Sequence, residues 1–502
     1  MQAFAATNCY APYATLAIMR ERGVIQPSPV RKRRDMWILH DALLSFVQEV
    51  DMRAPLTAFA LTLSVAVPAI ASDVQPREFP AILAGHAVLP AMTFLPAPDD
   101  APADVKVSGK FTTGRRVEAL GTVPGLSAGR PTGVSLPLPG QPVQGHSGIK
   151  RMADGTFWVL TDNGFGSKAN SPDAMLFLNR YRLDWTSGAV ERIETVFLHD
   201  PDKRVPFRIV HEGTEKRYLT GSDFDLEGFQ LVGDSFWIGD EFGPYLIRAD
   251  RTGRVVSVHE TEIDGKVARS PDHPAVTTPP VPTAPVAFTV RRSRGYEGLA
   301  SSPDGRFLYA MLEGPVWDEA DKDWEKVGGR EALRVLEFDT GAAKWTGRHW
   351  KYVLDQNGLA IGDFNMVDAA TALVIERDNG EGTADRACPE GQRRPDCFHD
   401  VARFKRVVKI EMGEAQAGGS VRKIGYVDLM RIADPKGVAR KPLNDDRLTF
   451  PFFTIENVDV VDAEHIVVGN DNNLPFSSSR DPQKADDSEF VLLNVRDLLQ
   501  AR

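Results

Sequence analysis

Cysteine is nearly absent from this 502-residue chain: Cys9, Cys388 and Cys397 are its only thiols. So few thiols exclude a scaffold built on disulfides and a multi-cysteine zinc site. The ten histidines form no cluster at ligand spacing, which removes the other usual zinc donor. Basic excess is missing too. The net charge of -10 argues against a general nucleic-acid binder and suits a soluble protein that can hold cations. No Gly-x-Ser-x-Gly elbow occurs. "GHSG" at 145–148 is only superficially similar, because it precedes a strand rather than a helix, and a serine esterase is therefore disfavoured. From about residue 105 onward, no long stretch keeps a helical period.

What is present begins with an apolar run. Met52 and Arg53 precede "APLTAFALTLSVAVPAIAS", which ends in small residues at Ala69-Ile70-Ala71. This has the form of a secretory signal peptide over 52–71, with cleavage near Ser72. The run is about as long as the shortest membrane-spanning helix, but its alanine and threonine content and its cleavage pattern favour the signal. The expected location is periplasmic or extracellular, with no stable membrane span after cleavage. Residues 1–51, with "RKRR" at 31–34, read as an upstream extension from a misplaced start codon. In the expected mature chain, Cys388 and Cys397 flank eight residues of the polar loop "CPEGQRRPDC". An oxidising compartment favours a disulfide there, and no further ligand supports the alternative zinc pair. Residues 72–104 are rich in proline and alanine and read as a linker or loosely packed arm.

The rest, 105–502, is made of short runs rich in Val, Ile, Phe, Trp and Tyr, bounded by Gly, Asp, Asn and Pro. That is an all-β pattern. Hairpins are expected at 180–196, turning at Ser187-Gly188, and at 335–345. A longer period joins "HSGIKRMADGTFWVLTDNG", "DLEGFQLVGDSFWIGDEFG", "YEGLASSPDGRFLYAMLEG", "GDFNMVDAATALVIERDNG" and "IENVDVVDAEHIVVGNDNN". Each unit is a polar residue, a strand, a tight turn, a second strand and a polar, mostly acidic end, with 13 to 16 residues between the two polar positions. Such a length suits two antiparallel strands with a short turn. Units starting 66 to 93 residues apart form an array, and radially repeated β-sheets form a β-propeller. Five hairpins are visible, and residues near 105–125 with the strand at 489–498 would supply one more blade. Six blades are therefore expected, with five or seven also allowed. Because the units exceed a usual blade of about 40–50 residues, long loops should sit on one rim.

In a ring, equivalent positions converge. Glu227, Glu241, Glu297, Glu313, Glu376, Glu456 and Asp471 are expected to meet near one mouth of the channel, with Asp162 and Asp240 as weaker members. Two carboxylates about 4 Å apart repel by about 4 kcal/mol at an effective dielectric near 20, so such a ring needs protons or cations. Oxygen donors, with Asn163, Asn379, Asn457 and Asn472 among them, select calcium first and magnesium second. The competing reading is turn capping. It fits Asp154, Asp304 and Asp462 beside tight turns, but it fits the glutamates poorly. Arg248, Arg292, Arg294 and Arg377 could pair with the acids or bind an anionic substrate. His146 is a candidate general acid, and a structural histidine is the alternative.

"DLEGF", "WIGDEFGP", "YEGLA", "LEGP", "IGDFN…ERDNG" and "IENVDV…GNDNN" together resemble the phytase-like family, the exported bacterial "esterase-like activity of phytase" proteins. The resemblance covers about 140–495 and implies a β-propeller linked to phosphate-ester hydrolysis. The expected function is an exported, metal-dependent phosphoric-ester hydrolase, a monomer acting on a small anionic phosphorylated substrate. Its metal ligands would be Glu227, Glu241, Glu297, Glu313, Glu376, Glu456 and Asp471, and its catalytic groups His146, Glu241 and Arg377. Two other readings fit these residues: a non-catalytic propeller pinned by calcium that binds a ligand or partner, and an enzyme like the sugar lactonases.

Overall fold

Tight turns with glycine or aspartate at their tips join neighbouring strands into four-stranded antiparallel blades. The computed structural model describes residues 75–281 and 284–502. Blade 1 runs outward through His146–Arg151, Phe157–Thr161, Phe177–Leu183 and Val190–Phe197. Blade 2 uses Leu226–Val232, Ser235–Asp240, Tyr245–Asp250 and Val255–Glu260. Blade 3 uses Tyr296–Ser301, Phe307–Leu312, Arg330–Asp339 and Lys344–Val353. Blade 4 uses Ala360–Met366, Thr371–Arg377, Lys405–Glu411 and Arg422–Asp428. Blade 5 uses Thr454–Val460, His465–Asp471, Ser488–Asn494 and, on the outside, Ile82–Leu89. The five inner strands pack in a closed cycle, each against the next and the fifth against the first. Burial follows position in the blade. Phe157–Thr161 is buried throughout, whereas four of the eight residues of Val190–Phe197, the outermost strand, are exposed.

The propeller thus has five blades, within the range that the sequence allowed. The strand expected to help form a sixth is the third strand of blade 5, where Ser488–Asn494 pairs with both Ile82–Leu89 and His465–Asp471. Residues near 105–125 form turns and part of a small hairpin, Val123–Ser127 with Arg130–Leu136. The segment 72–104 is not simply an arm. "ILAGHAVL" alternates well enough to become the strand that closes the ring, with Leu83 and Ala87 buried in the core, and Arg77–Phe79 adds a parallel edge strand to blade 4. The propeller therefore begins near residue 77 rather than 105. The expected extension 1–51 and signal peptide 52–71 lie outside the described residues. The hairpins at 180–196 and 335–345 form as expected, and Cys388 is bonded to Cys397.

Inner-strand starts and second-strand ends lie on the same rim of an antiparallel blade. The long connections leave from that rim, among them 90–145, 198–225, 261–295, 313–329, 378–404, 429–453 and 472–487. The opposite rim carries the short turns. There Asp154, Asp304, Asp368 and Asp462 accept hydrogen bonds from backbone N–H groups two or three residues on, which is the turn-capping role.

Candidate metal centre

Every inner strand carries a β-bulge at the same depth. The register slips at Ser147-Gly148, Glu227-Gly228, Glu297-Gly298, Gly362-Asp363 and Glu456-Asn457. A bulge re-aims the side chain at its extra residue, and here it turns three glutamates and one serine towards the propeller axis. The glycines make room for the neighbouring blade: a Cβ on Gly228 would lie 2.3 Å from the amide nitrogen of Leu299, and one on Gly362 would lie 2.1 Å from the carbonyl oxygen of Ile455. In blade 5 the matching residue is Asn457, whose amide instead donates to the His146 carbonyl at 2.6 Å.

A second tier lies two residues beyond the residue opposite the bulge. Asp162, Glu241 and Glu313 each donate their backbone N–H to the residue that leads into the neighbouring inner strand: Gly145, Asp225 and Gly295. In blades 4 and 5 the same tier holds Arg377, opposite Ala360, and Asp471, opposite Thr454. Blade 4 therefore breaks the acidic pattern twice, with Gly362 in the first tier and a guanidinium in the second.

The tiers bring Glu227, Glu241, Glu297, Glu313 and Glu456, with Asp225 at the entry to its inner strand, into three overlapping triads: Asp225/Glu227/Glu241, Glu227/Glu297/Glu456 and Glu241/Glu297/Glu313. Within each triad, one oxygen per residue lies within 4.8 Å of the others. Glu227, Glu241 and Glu297 are each shared by two triads. Because the inner strand of blade 5 packs against those of blades 4 and 1 and not against those of blades 2 and 3, the triad of Glu227, Glu297 and Glu456 spans the axis. Three residues further along the inner strands, Asn365 of blade 4 accepts from Lys150 of blade 1 at 3.1 Å and from Gln230 of blade 2 at 2.8 Å. Lys150 also reaches Asp459 of blade 5 at 3.1 Å. Bonds between non-adjacent blades cross the channel and close it. The acids thus line a recess that opens only on the long-loop rim, with the five glutamates 5–8% exposed.

The recess is strongly unbalanced. Asp162 and Asp471 adjoin the six acids, so eight carboxyl groups face two guanidiniums, those of Arg294 and Arg377. Burial first, and then the mutual repulsion of the acids, pushes Asp225, Glu227, Glu241 and Glu297 well above the usual carboxyl range. Burial and Glu456 lift Asp162 to about 7. Glu456 is raised by burial, against the opposing pull of Arg377 at 3.1 Å and a hydrogen bond from Ser147 at 2.8 Å. Burial works against the Arg377 charge, but Glu456, Glu313 and Glu297 hold its pKa above the ordinary value. Oδ1 of Asp225 and Oε1 of Glu241 and Glu297 are buried without a hydrogen-bond partner. A stranded carboxylate oxygen is costly. An all-oxygen set of this kind, with vacant lone pairs converging, fits a hard divalent cation such as calcium or magnesium.

Residues 141–474 match the Phytase-like family, described as "Esterase-like activity of phytase". The chain belongs to this family. A relative from Arthroderma benhamiae, described as an uncharacterized secreted protein, is 31% identical over 124 residues, which are 23% of this phytase-like chain and 24% of that protein. The match thus spans about a quarter of the relative's length. Among solved structures, the luciferin-regenerating enzyme aligns at 10% identity over 70% of this chain and 91% of that one, with a TM-score of 0.28. A putative 6-phosphogluconolactonase from Bacteroides uniformis aligns at 11% identity over 71% and 91%, also with a TM-score of 0.28. No helix among the described residues is long and apolar enough to cross a membrane.

Of the residues that the sequence nominated, Glu227, Glu241, Glu297, Glu313 and Glu456 meet in the triads of the phytase-like propeller, and Asp471 stands beside them. Arg377 stands among them. Glu376 does not. It pairs with Ile361, one register step away from Arg377, and so faces the interior between blades 3 and 4, where Lys423, the Tyr352 hydroxyl and the Asp355 amide each bond it at 2.5–2.6 Å. His146 is also out of reach. It occupies the core position of Leu226 and Tyr296, fully buried between Tyr181 at 3.1 Å and the Phe490 ring. Burial lowers its pKa to about 3, so it is neutral and cannot serve as a general acid at the recess. Asp240 caps the turn below the site through the Gly243 and Asp225 amides. The four asparagines hold backbone or orient neighbours: Asn163 accepts from the Gly166 amide, Asn379 from the Arg377 guanidinium and Asn472 from the Gly145 amide, while Asn457 donates to the His146 carbonyl. Arg248 packs on Trp237 and Arg292 pairs with Asp272, both away from the acids. Asp225 was missed. The signal was its spacing in "DLEGF", two residues before Glu227 and therefore on the same side of an extended chain.

Proposed function

We propose that this protein is an exported, divalent-cation-dependent phosphoric-ester hydrolase that works as a monomer on a small phosphorylated substrate. The observation that carries the reading is the set of three fused acid triads with unpartnered oxygens on Asp225, Glu241 and Glu297, beside two guanidiniums. Asp225, Glu227, Glu241, Glu297, Glu313 and Glu456 would hold calcium, with magnesium as the alternative ion. Bound there, a cation would polarise a phosphoryl oxygen and acidify a water molecule.

The protein's own groups do the rest. Arg377, fixed by Asn379 at 2.9 Å and Glu456 at 3.1 Å, presents a rigid donor to a substrate oxygen. Asp162, at about 7, is a recess carboxyl outside the three triads that can carry a proton at neutral pH, in place of the sealed His146. The closed channel behind Asn365 restricts substrate to the loop rim. Export is supported by the signal-like run at 52–71 and by the description of the fungal relative as secreted.

The deciding measurement is hydrolysis of a panel of phosphomonoesters by the purified protein, with chelator and with added calcium or magnesium. Turnover that chelation abolishes and calcium restores is expected; turnover indifferent to chelation ends this reading. The slight exposure of the five glutamates, 5–8%, favours a second reading in which the ion is a structural pin. Calcium that stabilises the protein while no ester is cut would select it.

A further inference from the structure

The two guanidiniums at the recess differ in freedom. Arg377 is 5% exposed and held by Glu456 and Asn379. Arg294 is 36% exposed and pairs with a single residue, Glu313. It precedes Gly295, whose carbonyl accepts the Glu313 N–H at 2.8 Å, so arginine and glutamate are tethered by the same backbone pair at the mouth of the recess. Glu313 gives Oε2 to Arg294 and turns Oε1 towards Arg377 at 3.9 Å. It also completes the triad with Glu241 and Glu297, each of which points a buried, unpartnered Oε1 into the same space. A cation in that triad and the Arg294 guanidinium therefore compete for one carboxylate.

We propose that Arg294 is a specificity-determining anion receptor that cation binding releases: a divalent ion takes Glu313, and the freed guanidinium binds the oxyanion that docks against the ion. The inference rests on the cation-binding reading above and adds to it an order, cation before anion, and a named residue for the anion. Among the described residues, Arg294 is the solvent-reaching cationic side chain ion-paired to the triads. The nearby Lys405 is fully buried and donates to the carbonyls of Asp378 and Gly380. An arginine fork suits a tetrahedral oxyanion because two N–H groups can meet two oxygens. Coupling of this kind is reciprocal. If calcium readies the anion site, the anion must tighten calcium by the same factor.

The test is calorimetric titration of the full-length mature protein with calcium, with and without inorganic phosphate, which needs no turnover. In the unaltered protein phosphate should raise calcium affinity by about fivefold or more, the lower range of measured couplings. In Arg294→Gln calcium alone should bind as tightly or more tightly, because its competitor is gone, and phosphate should no longer alter it. Arg294→Lys, which keeps the charge but not the fork, should retain part of the coupling and guards against a folding defect in the first variant. Calcium uptake with equal coupling in Arg294→Gln overturns the role of Arg294 and leaves the cation-binding reading standing. No calcium uptake by the unaltered protein overturns both.

Discussion

Glu297 belongs to two of the three triads, whereas Glu456 and Glu313 belong to one each. Its replacement, like that of Glu227 or Glu241, should therefore weaken cation binding more than the loss of an acid that belongs to a single triad. Glu297→Gln is expected to lower calcium affinity by more than the roughly 10–100-fold lost when an outer partner of a metal ligand is removed, and Glu456→Gln by less than Glu297→Gln; calorimetry on the two variants decides the order. His146 gives the opposite expectation. Its ring sits among Tyr181 and Phe490, so His146→Leu should cost about 1–3 kcal/mol through the stranded Tyr181 hydroxyl and leave calcium affinity unchanged. Urea unfolding and a calcium titration on the same sample separate the two effects.

At the scale of the strand, the closing element Ile82–Leu89 links the N-terminal side of the propeller to its last blade. Leu83→Ala removes a fully buried side chain from that seam and should cost about 2–5 kcal/mol, read by denaturant unfolding. A chain that starts at 105 lacks the strand altogether and should not give a cooperative transition. The visible hairpins were legible because alternation and turn residues are local signals. This closing strand was not, since prolines flank it and its pairing partner lies some four hundred residues away. The same limit explains Glu376. Sequence spacing places it with Arg377 at a strand end, but the two-residue bulge at Gly362-Asp363 fixes which of the two faces the axis, and a one-residue slip sends a side chain to the other face. The acid ring was legible as a list of members. Its two gaps in blade 4 follow from register, which composition does not encode.

For the whole molecule, the acids set how stability depends on pH. Asp162 and Asp363 are lifted to about 7, and Asp223, Asp240 and Asp486 to about 6, each chiefly by burial. An unfolded carboxyl titrates near about 4, so the folded protein binds more protons between those limits. Stability without cations should then fall as pH rises from about 4 to about 7. Glu489 acts in the opposite sense. Arg480 and His86 overcome its burial and hold it at about 2, so its contribution is present above the unfolded value and is lost as pH falls towards 2. Calcium should reverse the loss at higher pH. At about a hundred times its dissociation constant it would add about 2.7 kcal/mol, visible as a higher melting temperature at pH 8 and a much smaller gain at pH 4.5. A melting temperature that chelator leaves untouched at pH 8 would contradict the cation-filled recess.

The seam in blade 5 also bears on biogenesis. Ribosomes deliver residues 82–89 about four hundred residues before residues 488–494, yet the two must lie side by side before the circle exists. Throughout that interval the nascent polypeptide holds an unpaired edge and an incomplete ring of like charges. Ring closure must wait for residues 488–494, and any chain cut short before them is left as an open arc with no mate for Ile82–Leu89.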